Sequence, residues 1–189
     1  MRNEIKLKRK AISEHVQNCL DCTSCPIGKS RPQRSVYRGI PYADILFIME
    51  PPDDTDIILG QPTKGPTARV FQNLMNTAWK DYSPQPAFVI TNSIRCLPET
   101  DGRLRKPNKD ELYNCSDHLL ELIEITEPGV IVTGSDSAIK ALKPLEIDIP
   151  VLNMISVTKI MNQGERGKLD FRRAVKILQQ AYETVYEDD

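Results

Sequence analysis

Cysteines are the residues of this sequence whose spacing most directly indicates chemistry. Cys19, Cys22 and Cys25 follow the pattern C-x-x-C-x-x-C, and Cys96 and Cys115 lie far downstream. Two thiolates separated by two residues can chelate one metal centre from a tight turn, and four thiolates complete either a zinc site or an iron–sulfur cluster. Buried free thiols are the alternative. The spacing does not distinguish zinc from iron–sulfur, and the five cysteines exceed the four ligand positions.

Length and composition restrict the class of protein to which these cysteines belong. The 189 residues carry a net charge of −1 and are 40% hydrophobic, which suits one globular domain with a single core. No apolar run approaches the ~20 residues of a membrane span, and the charged first residues lack the apolar centre of a secretory signal. We therefore expect a cytoplasmic protein without membrane association. Disulfides are rare in a reducing compartment, so the cysteines need another explanation.

Alternating apolar runs predict the elements that position the cysteines. Runs rich in Val and Ile predict strands buried on both faces over 45–49, 88–91, 129–133 and 150–155. Apolar residues at helical spacing predict helices over 67–79, 109–126, 135–142 and 169–185. This alternation is typical of α/β proteins. We predict a single domain over 1–189, an α/β three-layer sandwich with a central four-stranded parallel sheet and helices on both faces.

Polar segments follow the predicted strands. They are residues 50–54, 92–96, 134–135 and 153–158. Ligands of open parallel sheets bind at the carboxyl ends of the strands, so we expect the functional site at this edge.

Four strings of residues carry a more specific signal when they are read in order. They are C-T-S-C-P-I at 22–27 with the basic segment 31–38, M-E-P-P at 49–52 with Asp56 and G-Q-P-T-K-G at 60–65, I-T-N-S-I-R-C at 90–96, and G-V-I-V-T-G-S at 129–135. In this order and at compatible distances, they resemble the iron–sulfur uracil-DNA glycosylases, usually called family four.

The resemblance covers residues 22–156, and implies a uracil-DNA glycosylase-like core there. A helix over 1–21 would precede the core, and a helix with an acidic tail over 157–189 would follow it. The resemblance further implies a [4Fe–4S] cluster, with zinc as the alternative, and leaves Cys19 unassigned. The implied cluster ligands are Cys22, Cys25, Cys96 and Cys115.

The resemblance also implies roles for polar residues of the pocket. Asn92 lies at the position that reads the edge of the base, Glu50 at the first acidic position, and Asp56 where the family has an acid that handles the attacking water. Without the family context, Asn92 would be interpreted as a turn cap and the two acids as solvated loop residues.

Departures from the family pattern concern the same pocket. Thr63 stands where the family has an aromatic residue that stacks on the base, and Pro51 replaces a small residue. The histidine-proline dipeptide expected after the fourth strand is absent, and Ser156 is the nearest positional candidate. The predicted base-binding residues are Asn92, Pro51, Thr63 and Asn153.

Base excision sets the chemical demands on these residues. The nucleotide must leave the base stack, and breaking the N-glycosidic bond leaves an oxocarbenium-like sugar and an anionic base. We assign Asp56 to the water, and Glu50 to a structural or substrate-positioning role, because a carboxylate near the base anion would oppose the reaction. Ser156 or Asn153 would donate a neutral hydrogen bond in place of the missing histidine.

Residues 29–38 and 103–109 form two basic segments that contain no acidic residue. Both segments adjoin proposed cluster ligands, and their charge favours DNA binding. Two solvated loops are the alternative. A further lysine, Lys64, precedes the helix over 67–79. The predicted DNA contacts are Lys29, Arg31, Arg34, Arg38, Lys64, Arg103, Arg105 and Lys106.

Three functional hypotheses follow. The first is a monomeric, DNA-binding iron–sulfur protein that excises uracil or a modified pyrimidine from single- or double-stranded DNA. The second is a catalytically silent DNA-binding accessory module of a replication or repair complex on the same fold. The third is a zinc-stapled nucleotide-binding domain.

Overall fold

Four parallel strands and one antiparallel edge strand form the main sheet. The computed structural model describes residues 2–30 and 33–186, so Arg31 and the acidic tail lie outside the described residues. The strands are β1 (Arg38–Gly39), β2 (Ile45–Met49), β3 (Phe88–Asn92), β4 (Glu99–Thr100), β5 (Arg103–Leu104), β6 (Val130–Thr133) and β7 (Val151–Asn153). The sheet has the order β1–β3–β2–β6–β7, and β4 pairs with β5 in a separate hairpin. Only β1 runs antiparallel to its neighbour in the main sheet.

Helices cover both faces of the main sheet. They are α1 (Arg2–Leu20), α2 (Pro26–Ser30), α3 (Asp54–Leu59), α4 (Ala68–Trp79), α5 (Lys109–Asn114), α6 (Ser116–Thr126), α7 (Asp136–Leu142), α8 (Val157–Asn162) and α9 (Gly164–Tyr186). None of the helices in the described part of the chain is both long enough and apolar enough to cross a bilayer.

Strand β2 shows how the sequence builds two cores. Side chains of a strand alternate between faces, and all five residues of β2 are buried. Ile45, Phe47 and Met49 join a core with α4, α8 and α9. Leu46 and Ile48 join a second core with α1, α5, α6 and α7. The predicted three-layer α/β arrangement is confirmed, with the antiparallel strand β1 added at one edge.

Two predicted elements differ from those observed. The predicted helix over 109–126 is broken at Cys115, which has φ −98° and ψ −5° and separates α5 from α6. The apolar pattern concealed this break because Leu112 and Leu119 enter the same core. The predicted strand over 150–155 is the three-residue β7, which is only partly buried because it forms the other edge of the sheet.

The core beneath β2 gives a stability prediction. Phe71 is fully buried and packs edge-to-face on Phe47, with ring centroids 5.1 Å apart. We expect Phe71→Ala to lower the free energy of unfolding by about 3–5 kcal/mol in urea denaturation, because it leaves a cavity. Ile58→Ala is the control, since Ile58 is 80% exposed and its loss changes stability by no more than about 0.5 kcal/mol. Equal effects of the two substitutions would contradict this core assignment.

Candidate active site and cysteine cluster

A cavity of about 690 Å³ opens at the carboxyl edge of the sheet, where the sequence predicts the functional site. It lies among the segments that follow β2, β3, β6 and β7. All the residues predicted to act in catalysis or base binding line this cavity: Glu50, Pro51, Asp56, Thr63, Asn92, Asn153 and Ser156. Segments that are far apart in sequence therefore converge on one site.

Asp56 is held in the cavity wall by the short helix α3. The Asp53 side chain caps this helix by accepting a hydrogen bond from the Asp56 backbone N–H at 2.9 Å. The Asp56 carboxylate accepts hydrogen bonds from the backbone N–H of Lys64, at 2.7 Å, and of Thr63. Burial raises the pKa of Asp56, and these hydrogen bonds oppose the increase. The arrangement fixes a buried carboxylate whose protonation is sensitive to its surroundings.

The loop after α3 has a strained backbone next to this carboxylate. Thr63 is buried and has a φ of +55°, a conformation that β-branched residues rarely adopt. The same loop packs closely on the cap of α3, since a Cβ atom on Gly65 would lie 2.1 Å from the Asp53 carboxylate. Strain of this kind persists only where the surrounding structure holds it, and it is common at binding sites.

Asn92 connects three other segments near the cavity through its side-chain amide. The amide oxygen accepts a hydrogen bond from the Ser35 hydroxyl, and the amide nitrogen donates to the Glu50 backbone oxygen, both at 2.7 Å. The Asn92 side chain also hydrogen-bonds the Asp56 carboxylate. This buried residue thus has a structural role at the same position where the sequence predicts base reading.

Ser156 and Asn153 differ in the hydrogen-bonding capacity that they offer to a ligand. The Ser156 hydroxyl caps α8 by accepting from the Lys159 backbone N–H, and it donates its proton to the Glu50 carboxylate. Asn153 accepts from the Thr133 hydroxyl at 2.6 Å through its amide oxygen. The Asn153 amide nitrogen makes no hydrogen bond within the described residues. Of the two predicted donors, Asn153 is the one with unused donor capacity.

Two arginines predicted to bind DNA are used inside the protein. Arg34 is buried, and its guanidinium donates to the backbone oxygens of Cys22 at 2.8 Å and Gly28 at 2.9 Å. Arg105 forms a two-pronged ion pair with Glu111. We therefore correct the assignment of the buried Arg34, whereas Arg105 is partly exposed, lines the cavity and stays a predicted DNA contact.

The remaining predicted cations are distributed unevenly around the site. Arg38 is half-buried in β1 within electrostatic range of Asp56, whose charge partly offsets the lowering of the Arg38 pKa by burial. Lys106 lines the cavity. The other three are exposed and do not line it: Lys29, Lys64 and Arg103.

Two further lysines on the cavity rim were not predicted from the sequence. Lys140 and Lys159 are exposed, and both line the cavity. Each lies on a helix that follows a strand, α7 after β6 and α8 after β7. Their position in the sequence could have identified these two lysines, since helices that follow parallel strands begin at the carboxyl edge of the sheet. With Lys106, these lysines provide positive charge around the cavity.

The predicted cluster cysteines come from three separate connections. Cys22 and Cys25 lie between α1 and α2, Cys96 follows β3, and Cys115 lies at the break between α5 and α6. Burial, with smaller contributions from the neighbouring thiols, raises the pKa of Cys96 to about 12 and also raises the pKa of Cys115. Four thiolates at this location would repel one another unless a positive centre joined them.

Hydrogen bonds and charge around these cysteines match a negatively charged centre. The Cys25 sulfur accepts the Gly28 backbone N–H at 3.5 Å, and the Cys115 sulfur accepts the Arg95 backbone N–H. The Arg95 guanidinium is buried, its Nε has no hydrogen-bond partner within the described residues, and no described carboxylate pairs with it. A four-thiolate centre would supply the missing negative charge.

The four predicted ligand sulfurs do not form a clear cluster within the described residues. Among the described residues, no three of these four sulfurs lie within 4.8 Å of one another. Tetrahedral thiolates on a single zinc ion, with bonds of ~2.3 Å, would lie about 3.8 Å apart. An iron–sulfur cube holds its thiolates farther apart because each binds a different iron. The tight geometry of a zinc site is therefore not formed by these cysteines.

Fold and site together define an α/β protein with a cavity at the carboxyl edge of a mainly parallel sheet and with cysteines on the neighbouring connections. The family model of the Uracil DNA glycosylase superfamily matches residues 37–180, and the chain belongs to this superfamily.

Curated relatives narrow the relationship within the superfamily. The chain is 32% identical over 112 residues to the type-4 uracil-DNA glycosylase of Saccharolobus solfataricus, a match that covers 59% of this chain and 50% of the relative. It is 28% identical over 128 residues to the type-4 enzyme of Sulfurisphaera tokodaii, covering 68% of this chain and 52% of the relative. A type-4 enzyme of Archaeoglobus fulgidus is 24% identical over 123 residues, covering 65% of this chain and 59% of the relative. The chain thus spans little more than half the length of these relatives.

Stability measurements separate the structural role of Asn92 from a purely binding role. We expect Asn92→Ala to lower the free energy of unfolding by about 1–3 kcal/mol, because it leaves buried hydrogen-bonding partners unsatisfied. Asn73→Ala is the matched control and should lower the free energy of unfolding by no more than about 0.5 kcal/mol, because Asn73 is exposed on α4. Urea denaturation of both variants measures the difference. An Asn92→Ala protein as stable as the control would show that the amide network does not support the fold.

Proposed function

We propose that this chain is a DNA-binding iron–sulfur protein that hydrolyses the N-glycosidic bond of uracil or a modified pyrimidine in DNA. The observation that carries the proposal is the shared cavity, because a member of this superfamily brings residues of three motif strings, together with those that follow β7, to one site. The type-4 relatives are named as uracil-DNA glycosylases, which favours the same reaction class here.

Binding begins with an extruded nucleotide. A cavity of about 690 Å³ is large enough for a single base and its sugar, and extruding them costs a few kcal/mol in duplex DNA. Lys106, Lys140 and Lys159 on the rim would offset this cost through contacts with flanking phosphates. The exposed cations outside the cavity, Lys29, Lys64 and Arg103, would extend the contact along the DNA backbone.

Asp56 would orient the water that attacks the sugar. Its carboxylate is fixed by backbone N–H groups and by Asn92, so the geometry is set before substrate binds. Burial raises the pKa of Asp56, which makes the carboxylate a better proton acceptor as long as it remains ionised. Glu50 is held by Ser156, and we assign it to positioning the substrate.

Asn153 would stabilise the base as it leaves with negative charge. Thr133 fixes the Asn153 amide oxygen, which directs the unused amide nitrogen as a donor. A neutral donor compensates only partly for a missing histidine, since one donor aimed at developing charge contributes about 10²–10³ in rate. We therefore expect slow excision. Asn92 and Pro51 would contact the base, with Thr63 at the position of the stacking ring.

We assign the ligands of a [4Fe–4S] cluster to Cys22, Cys25, Cys96 and Cys115, because their thiolates lie on connections that such a cluster would join. The buried Arg95 guanidinium donates to the backbone oxygens of Asn92 and His118 but pairs with no described carboxylate. Its uncompensated charge and the N–H groups directed at sulfur favour a negatively charged centre. Such a cluster would cross-link distant loops through its cysteine ligands. It would hold the segment after β3 against the α1–α2 connection, which fixes the wall of the cavity.

A catalytically silent DNA-binding module is the second candidate. Thr63 lacks the aromatic face that stacks on a base, and the Ser156 hydroxyl is already used by Glu50. Both observations favour binding without excision.

An excision assay tests the enzyme proposal. We expect release of uracil or a modified pyrimidine from oligonucleotides, detected by alkaline cleavage of the abasic site. Asp56→Asn should slow it about 10²–10⁴-fold, and Asn153→Ala about 10²-fold or more. The rate should fall as the pH decreases through the raised pKa of Asp56, above the usual range of an aspartate, because protonation removes the acceptor.

Binding of the same oligonucleotides is the control for both variants. Fluorescence anisotropy should give dissociation constants within a few fold of the wild-type protein, since neither residue is a cation. Salt-sensitive binding with no cleavage of any modified pyrimidine substrate would refute the enzyme and support the silent module.

Metal analysis tests the cluster ligands separately. We expect anaerobically purified protein to be brown and to contain about four iron atoms per chain. Cys96→Ser should lose most of the iron and the visible absorption because one ligand is removed, whereas Cys19→Ser, the matched control, should keep both. Loss of iron in Cys19→Ser, or a colourless wild-type protein with zinc bound to four sulfurs, would contradict the assignment.

A further inference from the structure

A second group of metal-binding side chains lies between α1 and α6, apart from the four predicted cluster ligands. His15 and Cys19 come from α1, one helical turn apart, and His118 comes from α6. His15 and Cys19 are fully buried, and His118 is half-buried. We propose that His15, Cys19 and His118 form a binding site for one zinc ion, independent of the glycosylase activity and of the cluster.

Distances among the ligand atoms suit a single ion. One nitrogen of each histidine and the Cys19 sulfur all lie within 4.8 Å of one another. The His15 Nε2 atom lies 3.5 Å from the Cys19 Sγ atom. A tetrahedral zinc ion with Zn–S of ~2.3 Å and Zn–N of ~2.0–2.1 Å requires about 3.6 Å between these two atoms. Small side-chain movements would therefore complete the site.

Glu121 orients the first of these ligands. The Glu121 carboxylate accepts a hydrogen bond from His15 Nδ1 at 2.7 Å and is itself held by the Asn18 amide at 3.1 Å. With the proton on Nδ1, the lone pair of His15 Nε2 points towards Cys19. Carboxylates that hold metal-binding histidines in this way are common around zinc, and their loss typically weakens metal binding about 10–100-fold.

Burial and charge set the protonation states of the three ligands. Burial lowers the pKa of both histidines, so the imidazoles are neutral and can ligate metal. Burial raises the pKa of Cys19 to about 12, so the thiol is protonated without metal. Zinc binding would form a bond to the thiolate and release the thiol proton to solvent. The nearby Arg95 charge repels the ion but favours the thiolate.

Water would complete the coordination at the fourth position. Three protein ligands with one open position occur in zinc sites, and borderline-soft zinc accepts the mixture of imidazole and thiolate. His118 is the partly exposed ligand and provides the side from which the ion and the water enter. The ion would join α1 to α6, next to the connection that carries Cys22 and Cys25.

Zinc content and X-ray absorption of the full-length, anaerobically purified and iron-loaded protein test this site. We expect about one zinc per chain after incubation with micromolar zinc and gel filtration, with one sulfur and two imidazole ligands in the zinc spectrum. Zinc should raise the melting temperature of the wild-type protein, and His118→Ala should abolish this increase. Glu121→Gln should weaken zinc binding about 10–100-fold.

Glu124→Gln is the matched control for Glu121→Gln, because Glu124 is an exposed acid on the same helix, and it should bind zinc like the wild-type protein. The wild-type spectrum needs no variant, so a folding defect in His118→Ala leaves the proposal testable. Absence of zinc from the iron-loaded protein would overturn it, as would a spectrum with three or four sulfurs or unchanged zinc binding by His118→Ala.

Discussion

Parallel pairing of β2 with β3 and β6 is the constraint on which the site depends. In the register of the sheet, Met49 lies opposite Asn92 and Ile48 opposite Thr133, so the strands end at nearly the same level. Parallel strands run in the same direction, so their carboxyl ends lie at one edge of the sheet and the loops that follow them share that edge. Burial on both faces leaves β2 no alternative register, because a shift by one residue would exchange its two core faces. The cavity is a consequence of this pairing.

The Asn92 amide converts this shared edge into a defined wall. It connects the end of β3 to the Glu50 backbone, to Ser35 before β1 and to Asp56 on α3. A buried amide with these partners rigidifies the site, and the same hydrogen bonds limit what it can offer to a base. Reading a base would therefore require sharing or exchange of a partner. Asn153, on the exposed edge strand, is not subject to this competition.

Local patterns predicted the strands well because burial determines their composition. The run over 45–49 matches β2 residue for residue, and the polar segments after the strands do form the cavity. Charge was predicted less well. Arg34 and Arg105 stand in segments that look solvated, but tertiary contacts direct their side chains to the Cys22 carbonyl and to Glu111. Neither partner can be identified from spacing. The two-residue strand β1 was missed for a related reason, since its pairing with β3 is wholly non-local.

Electrostatics in the cavity decides whether the fold can excise a base. Two unit charges 4 Å apart interact by about 4 kcal/mol at an effective dielectric constant of 20, which is as much as one well-placed donor contributes. An ionised Glu50 at that distance from the leaving base would therefore cancel the contribution of Asn153. The hydrogen bond from Ser156 fixes the position of the Glu50 carboxylate. Ser156 caps α8, and Lys159 lies on that helix. In the proposed reaction, which lacks a histidine, turnover would depend on Ser156 holding Glu50 away from the base. This role differs from the direct donation expected from the position of Ser156 in the sequence.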